Sequence, residues 1–354
     1  MRSLRFLAVL LAVGLVGPAL AALVVAAPAV AAPARLPAAQ ASCAIDGFAS
    51  ETIEIMAPAA PGGGWDTTAR EMQRVLEETG AAETVEVYNV EGAGGTIGLA
   101  QLASDERGND HHLMMMGLVM VGGIALNAAE TTLDDATPVA RLIAEFEAIV
   151  VPADSEYQSL DQLIAAFRED PASISWGGGS AGGTDHILVG LIAQAVGVDP
   201  TQVNYVPFSG GGEALAAILG GQVTAGVSGI GEFREQIEAG ELRALAVSGS
   251  AAPAGTPGAG ATPTPSVAPT LREQGVDVEL ANWRGLMAPP EISDEGRQCL
   301  VALVDQMRAS DAWQQTLQTQ GWQDYYLPGD EYGAFLAEER DRVVGILTEL
   351  GLVS

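Results

Sequence analysis

Lysine is absent from the 354 residues, so all sixteen basic side chains are arginine. No Schiff base can form, and no phosphate loop that requires a lysine can be built. Histidine is nearly as scarce: only His111, His112 and His186 occur, and they form no metal set with nearby cysteines. His111 and His112 open a strand pattern and read as solvated or structural. The only cysteines are Cys43 and Cys299. An even pair in an exported chain favours a disulfide over metal binding, and a lipid-modified Cys43 is the competing reading. Gln40-Ala41-Ser42 lacks the branched apolar residue that lipidation usually requires. Basic charge is also short, 16 against 45 acidic residues, for a net charge of -29. Such a surface repels nucleic acid and anionic lipid, which excludes both as partners.

No apolar run long enough to span a bilayer occurs after the N-terminus. There, Arg2 and Arg5 precede an apolar stretch over 6–30, and small residues surround Ala29-Val30-Ala31. That layout predicts a secretory signal peptide over 1–32, followed by a tether over 33–45. A lone membrane anchor is disfavoured by Pro18, Pro28 and the lack of a basic stop-transfer cluster. Loss of Arg2 and Arg5 with the leader takes the charge from -29 to -31. About 320 residues remain, enough for two lobes with separate cores.

Short β-branched runs alternate with helical patterns, as in a parallel α/β sheet. Strands are predicted over 52–56, 84–89, 112–116, 148–151, 173–176, 203–206 and 242–247. One intervening helix turns Ala69, Met72 and Leu76 inward, and a later one Ile187, Leu188, Leu191, Ile192 and Ala195. Two C-terminal helices, over 296–310 and 330–350, are expected to wrap back over the first lobe, the second burying Tyr332, Leu336, Val343, Leu347 and Leu350. Residues 250–270, rich in Pro, Ala, Gly and Thr, read as a surface loop.

Four glycine clusters fall where strands give way to helices: 61–66 (PGGGWD), 91–98 (EGAGGTIG), 177–186 (GGGSAGGTDH) and 208–213 (FSGGGE). In a parallel sheet such turns share one edge, and glycine lets backbone N–H groups approach a ligand. Each helix start carries about half a positive charge, so an anion is favoured there even in a strongly acidic protein. Glycines that merely permit tight turns are the plainer alternative. An enzyme is not expected: Gly178-Gly179-Ser180-Ala181-Gly182 matches a nucleophile elbow, but no histidine follows position 186 to complete the triad. Gly92-Ala93-Gly94-Gly95 lacks dinucleotide-binding spacing, and no cofactor or metal is expected.

The runs APAAPGGGWDTTAR (57–70), YNVEGAGGTIGLAQLA (88–103), WGGGSAGGTDHILVGLIAQAVGVDP (176–200), NYVPFSGGGEALAAILGGQVTAGVSGIGEF (204–233) and NWRGLMAPP (282–290) carry a resemblance to a known family. The chain resembles the substrate-binding receptors of tripartite tricarboxylate transporters, the TctC or Bug family. That resemblance implies a two-lobed periplasmic-binding-protein fold, type II-like, each lobe a mostly parallel sheet flanked by helices. Lobe 1 would comprise 46–147 plus 252–354 and lobe 2 148–251, with crossings near 148–152 and 245–248. It further implies an extracytoplasmic monomer that binds a small carboxylate, citrate first among them, and serves a large and a small integral-membrane permease subunit. A sensor feeding a membrane kinase is the alternative on the same scaffold. Carried over from the family, the ligand residues are Gly63, Gly64, Trp65, Asp66 and Thr67 on one side and Ser180, Gly182, Gly183, Thr184 and Asp185 on the other. Ser209, Gly210, Ser228 and Glu232 are added at later turns. Asp66 more simply caps its helix than meets an anion, and Asp185 invites the same reading. Arg70 and Arg284 either pair with ligand carboxylates or bridge to acids of the protein itself.

Overall fold

A computed structural model describes residues 43–209, 211–249 and 267–353. The expected leader, residues 33–42 of the tether, Gly210 and residues 250–266 lie outside the described residues. The chain runs β1 (Ile53–Ala57), α1 (Gly64–Glu78), β2 (Val85–Asn89), α2 (Thr96–Asp105), β3 (His112–Gly117) and α3 (Leu118–Leu126) into a long β4 (Thr137–Pro152). It continues through α4 (Leu160–Glu169), β5 (Ser175–Gly178), α5 (Thr184–Val196), β6 (Asn204–Pro207), α6 (Gly211–Leu219), β7 (Ala225–Gly229), α7 (Ile230–Glu238) and β8 (Leu242–Val247). It ends with β9 (Ala281–Ala288), α8 (Asp294–Ala309), α9 (Asp311–Gln320), β10 (Gln323–Pro328) and α10 (Gly329–Glu349).

The strands line up as β2-β1-β3-β9-β4-β7-β5-β6, with β10 and β8 also paired to β4. Two parallel groups, β1 with β2 and β3, and β5 with β6 and β7, stand on either side of an antiparallel centre. The expected strand over 148–151 is only the end of β4. Its first part pairs with β9 and β10, and the part from Glu147 pairs with β7 and β8. Beside that change of partners, Ser248 is fully buried, its hydroxyl accepting from Glu147 N–H at 3.0 Å and donating to Leu280 O at 2.7 Å. The sheet is therefore mixed, and the parallel pattern read from the sequence holds only for its two wings.

The helix faces follow the apolar spacing with one correction. α1 buries Ala69, Met72 and Leu76 as its periodicity predicts. In α5, Ile187, Leu188 and Ile192 are buried, but Leu191 is only half-buried and Ala195 is exposed. The reason is that α5 packs on more than one side: Leu350, just past α10, is buried against Gly190. α10 buries Tyr332, Leu336, Val343 and Leu347. A smaller core under α6 and α7 joins Ala148, Val150, Ile218, Phe233 and Leu242. Among the described residues no helix is long and apolar enough to cross a membrane.

Cys43 and Cys299 are joined by a disulfide that closes a sequence separation of 256 residues and ties the start of the described chain to α8. A bridge across so long a loop removes much of the freedom of the unfolded chain. Cys43→Ser is expected to lower stability by about 2–4 kcal/mol, read as a shift in the urea midpoint. A midpoint equal to that of the unmodified protein would show that the bridge contributes nothing.

Candidate functional site

α1 starts at the turn that leaves β1. Gly63 caps it, and the first-turn amides of Gly64, Trp65 and Asp66 have no protein acceptor among the described residues. The glycine amides just before them are taken: Gly62 N–H donates to Asp66 Oδ2 at 2.8 Å and Gly63 N–H to Ala60 O at 3.1 Å. Thr67, half-buried, donates its amide to Gly63 O at 2.9 Å. Both carboxylate oxygens of buried Asp66 are engaged, Oδ2 also by Arg70 Nε at 3.0 Å and Oδ1 by Asn89 Nδ2 at 2.9 Å. Burial would raise the Asp66 pKa, but the bonds from Arg70, Gly62 and Asn89 outweigh it and hold the group below the usual carboxylate range. Asp66 and Arg70 thus fasten the turn to its helix and to β2. The buried Trp65 ring lies against Gly95, so the first and second glycine turns touch.

The third turn repeats this device at α5. Gly179 N–H donates to Asp185 Oδ2 at 2.6 Å, Gly182 N–H to His186 Nδ1 at 3.2 Å, and Gly183 N–H to Ser180 O at 2.9 Å. Gly63, Gly182 and Gly183, named as ligand residues by the family resemblance, use their amides to close the turns. The amides of Thr184 and Asp185, one step further into α5, have no protein acceptor among the described residues. The fold-back recurs at the later turns, where Glu213 accepts from Ser209 N–H at 3.1 Å and Glu232 accepts from the Ser228 hydroxyl at 2.7 Å. An acid in the first helical turn thus closes each of these turns and suits the positive end of the helix.

Between the starts of α1 and α5 lies a buried charge cluster that motif reading missed. Arg284 on β9 is buried, donates to Glu145 and to Thr68 Oγ1 at 3.1 Å, and occupies the space that a side chain at Gly64 would need. Of the two roles open to Arg284 in the sequence, the structure shows the bridge to an acid of the protein. Glu145 faces Gly229 at the end of β7, and the carboxylate of Glu232 lies against Gly211 at the start of α6. Glu147, two residues along β4, is fully buried, and neither of its oxygens has a hydrogen bond of good geometry. Asp185 and Asn282 stand beside it, and the Thr184 hydroxyl is 3.4 Å from Asn282 Oδ1.

Four carboxyl groups, Glu145, Glu147, Asp185 and Glu232, therefore lie in one buried cluster, and the Arg284 guanidinium pairs with Glu145 and acts on Glu232. Burial, with Asp185, Glu145 and Glu232 adding, drives Glu147 well above the usual range. Burial likewise pushes Asp185 up to about 7 against the opposing bond from Gly179, and it raises Glu232 against the Ser228 bond. Close to neutrality the cluster holds protons, and protonated carboxyls are hydrogen-bond donors. Nearby, His186 stacks on Tyr205 with ring centroids 4.1 Å apart, and burial lowers its pKa to about 4, so the imidazole is neutral.

Three of the glycine turns line one pocket of about 420 Å³, bounded by Ala93 and Gly94, by Asn127 near α3, by Ser180, and by Phe208 and Ser209. α3 closes tightly on it: Gly122 leaves no room for a side chain against the Gly182 carbonyl. A larger hollow of about 610 Å³ beside the Cys43–Cys299 bridge shares no residue with the glycine turns. Of the residues singled out by sequence, the structure gathers Ser180, Thr184, Asp185, Ser209, Ser228 and Glu232 around the pocket and the cluster, and Gly64 and Trp65 adjoin them through Arg284 and Gly95. Gly210 lies outside the described residues. The signal for the missed pair was present, since Glu145 and Glu147 fall two apart in a mostly apolar strand and so share one face.

A family model described as the tripartite tricarboxylate transporter family receptor matches residues 68–352. The chain is similar to BugT of Bordetella pertussis, 28% identical over 310 residues that cover 86% of this chain and 91% of BugT. Among solved structures it resembles MatC from Rhodopseudomonas palustris with bound malate, with a TM-score of 0.70 at 23% identity over 84% of this chain and 98% of that one. A second R. palustris protein, solved with adipate, gives 0.73 at 22% identity over 85% of this chain and 97% of that one. These structural likenesses speak for a shared fold.

Proposed function

The chain belongs to the tripartite tricarboxylate transporter receptor family, and from that premise we propose that it captures a small di- or tricarboxylate between the two halves of its sheet, outside the cytoplasm, without chemical change. The halves, 46–147 with 252–354 and 148–251, act as lobes that close on the ligand, and the loaded protein delivers it to a large and a small permease subunit. The observation that carries this reading is the convergence of two helix starts, α1 and α5, with open first-turn amides, on a buried cluster able to hold protons. Amides of Gly64, Trp65, Thr184 and Asp185 supply donors and helix dipoles, and protonated Glu147 and Asp185 add O–H donors where ionised acids would repel the ligand. A receptor of net charge -29 can thus hold an anion without a free basic side chain. Citrate is the first ligand to test; malate and adipate, found in MatC and in the second R. palustris protein, are the next.

A thermal-shift screen of citrate, malate, adipate and related acids tests the reading. A true ligand at 100 times its dissociation constant adds about 2.7 kcal/mol, which raises Tm by roughly 4 °C in a protein of this size. No shift with any di- or tricarboxylate would remove carboxylate capture.

A further inference from the structure

Glu54 on β1 pairs in register with His112, the first residue of β3, so both leave the sheet on one face. Glu106, immediately after α2, closes over them. This group lies at the entering ends of the strands, whereas the glycine turns lie at their leaving ends. His112 is fully buried, and its Nδ1 is 3.1 Å from Glu106 Oε2 and 3.4 Å from Glu54 Oε2. Neither oxygen is aligned to accept a hydrogen bond, so Nδ1 is a buried polar atom without such a partner.

We propose that Glu54, Glu106 and His112 form a binding site for one divalent transition-metal ion of the zinc type. One oxygen of each glutamate and Nδ1 of the histidine are the ligands, and all three atoms lie within 4.8 Å of one another. Around an ion with bonds of about 2.0–2.2 Å, tetrahedral donors stand roughly 3.3–3.6 Å apart, close to the 3.1 and 3.4 Å from Nδ1 to the two glutamate oxygens. Acceptors placed to the side of the Nδ1 direction fit ligands of a shared ion better than acceptors of an imidazolium proton. The outer contacts fit as well. His112 Nε2 is 3.0 Å from the Tyr88 hydroxyl, so a proton on Nε2 leaves the Nδ1 lone pair for the metal, and Asn109 Nδ2 donates to Glu106 Oε2 at 3.1 Å. The Glu54 side chain is 42% exposed, which leaves a path from solvent and room for water as a fourth ligand. An imidazole donor selects zinc-type ions over calcium or magnesium. The sequence hid the site because Glu54 and Glu106 are far apart in the chain and the histidine pair reads as the opening of a strand.

Chelator-treated protein titrated calorimetrically with zinc chloride is expected to bind one equivalent, and cobalt(II) at the same site to give visible d–d absorption. In Glu54→Gln/Glu106→Gln, zinc affinity should fall at least tenfold and the cobalt bands should disappear, with far-UV circular dichroism unchanged. If the double variant misfolds, Glu106→Gln alone serves, since glutamine still accepts from Asn109. Absence of stoichiometric zinc binding by the unmodified protein, or equal binding by the folded variant, overturns the proposal. Carboxylate binding by the same variant should be unchanged, which separates this site from the cleft.

Discussion

Arg284→Met is expected to destabilise the protein by about 3–5 kcal/mol, the usual loss when one partner of a buried ion pair is removed. Tm should fall by roughly 5–8 °C. Arg284 and Glu145 are both almost fully buried, and Arg284 also acts on Glu232. Methionine keeps much of the volume, so the loss reports uncompensated charge more than a cavity. Adding Glu145→Gln should restore about half, because it removes the carboxylate left without a counter-ion. Thermal unfolding of both variants at neutral pH decides the matter. A loss below about 1 kcal/mol for Arg284→Met is the behaviour of a solvated pair and would show that water reaches the cluster.

The second large effect is on pH. Asp185 titrates at about 7 in the folded protein and 3.8 in the reference state, so its contribution to stability is complete below about pH 4 and is lost as pH rises through 7. Glu147 and Glu232 shift in the same direction. Asp66 shifts the opposite way: its contribution is present above 3.8 and disappears only on acidification. Stability should therefore peak in mildly acidic solution and decline toward pH 8. Ligand binding should follow the same sign, since each proton required for binding costs up to tenfold in affinity per pH unit above its pKa. Calorimetry from pH 5.5 to 8.5 is expected to show a fall on the order of thirtyfold for Asp185 alone, and a much flatter profile in Asp185→Asn. A pH-independent affinity in the unmodified protein would remove the protonated cluster from the binding mechanism.

The glycine turns were legible because strand-turn-helix junctions have a local signature, and each of the four lies between a strand and a helix. The apolar face of α1 was equally plain. β4 was not, because a strand of 16 residues with bulges and Pro138 near its start departs from the usual length of about five or six. β9, with Asn282 and Arg284 in its run, and the polar β10 are strands because of their partners on β4, a long-range effect that no local pattern encodes. The roles of the site residues were the least legible part. Whether an aspartate at a helix start caps the turn or meets a ligand depends on which amides surround it, and at Asp66 and Asp185 those are Gly62 and Gly179.

β4 is one unbroken strand held in both halves of the sheet, with Glu145 paired toward β9 and Glu147 toward β7 and β8. Phe146, the last β4 residue paired to β9, is flanked by the two acids. On the closure proposed above, the element that must twist is therefore the one that carries the buried acids, and it does so at the point where its partners change.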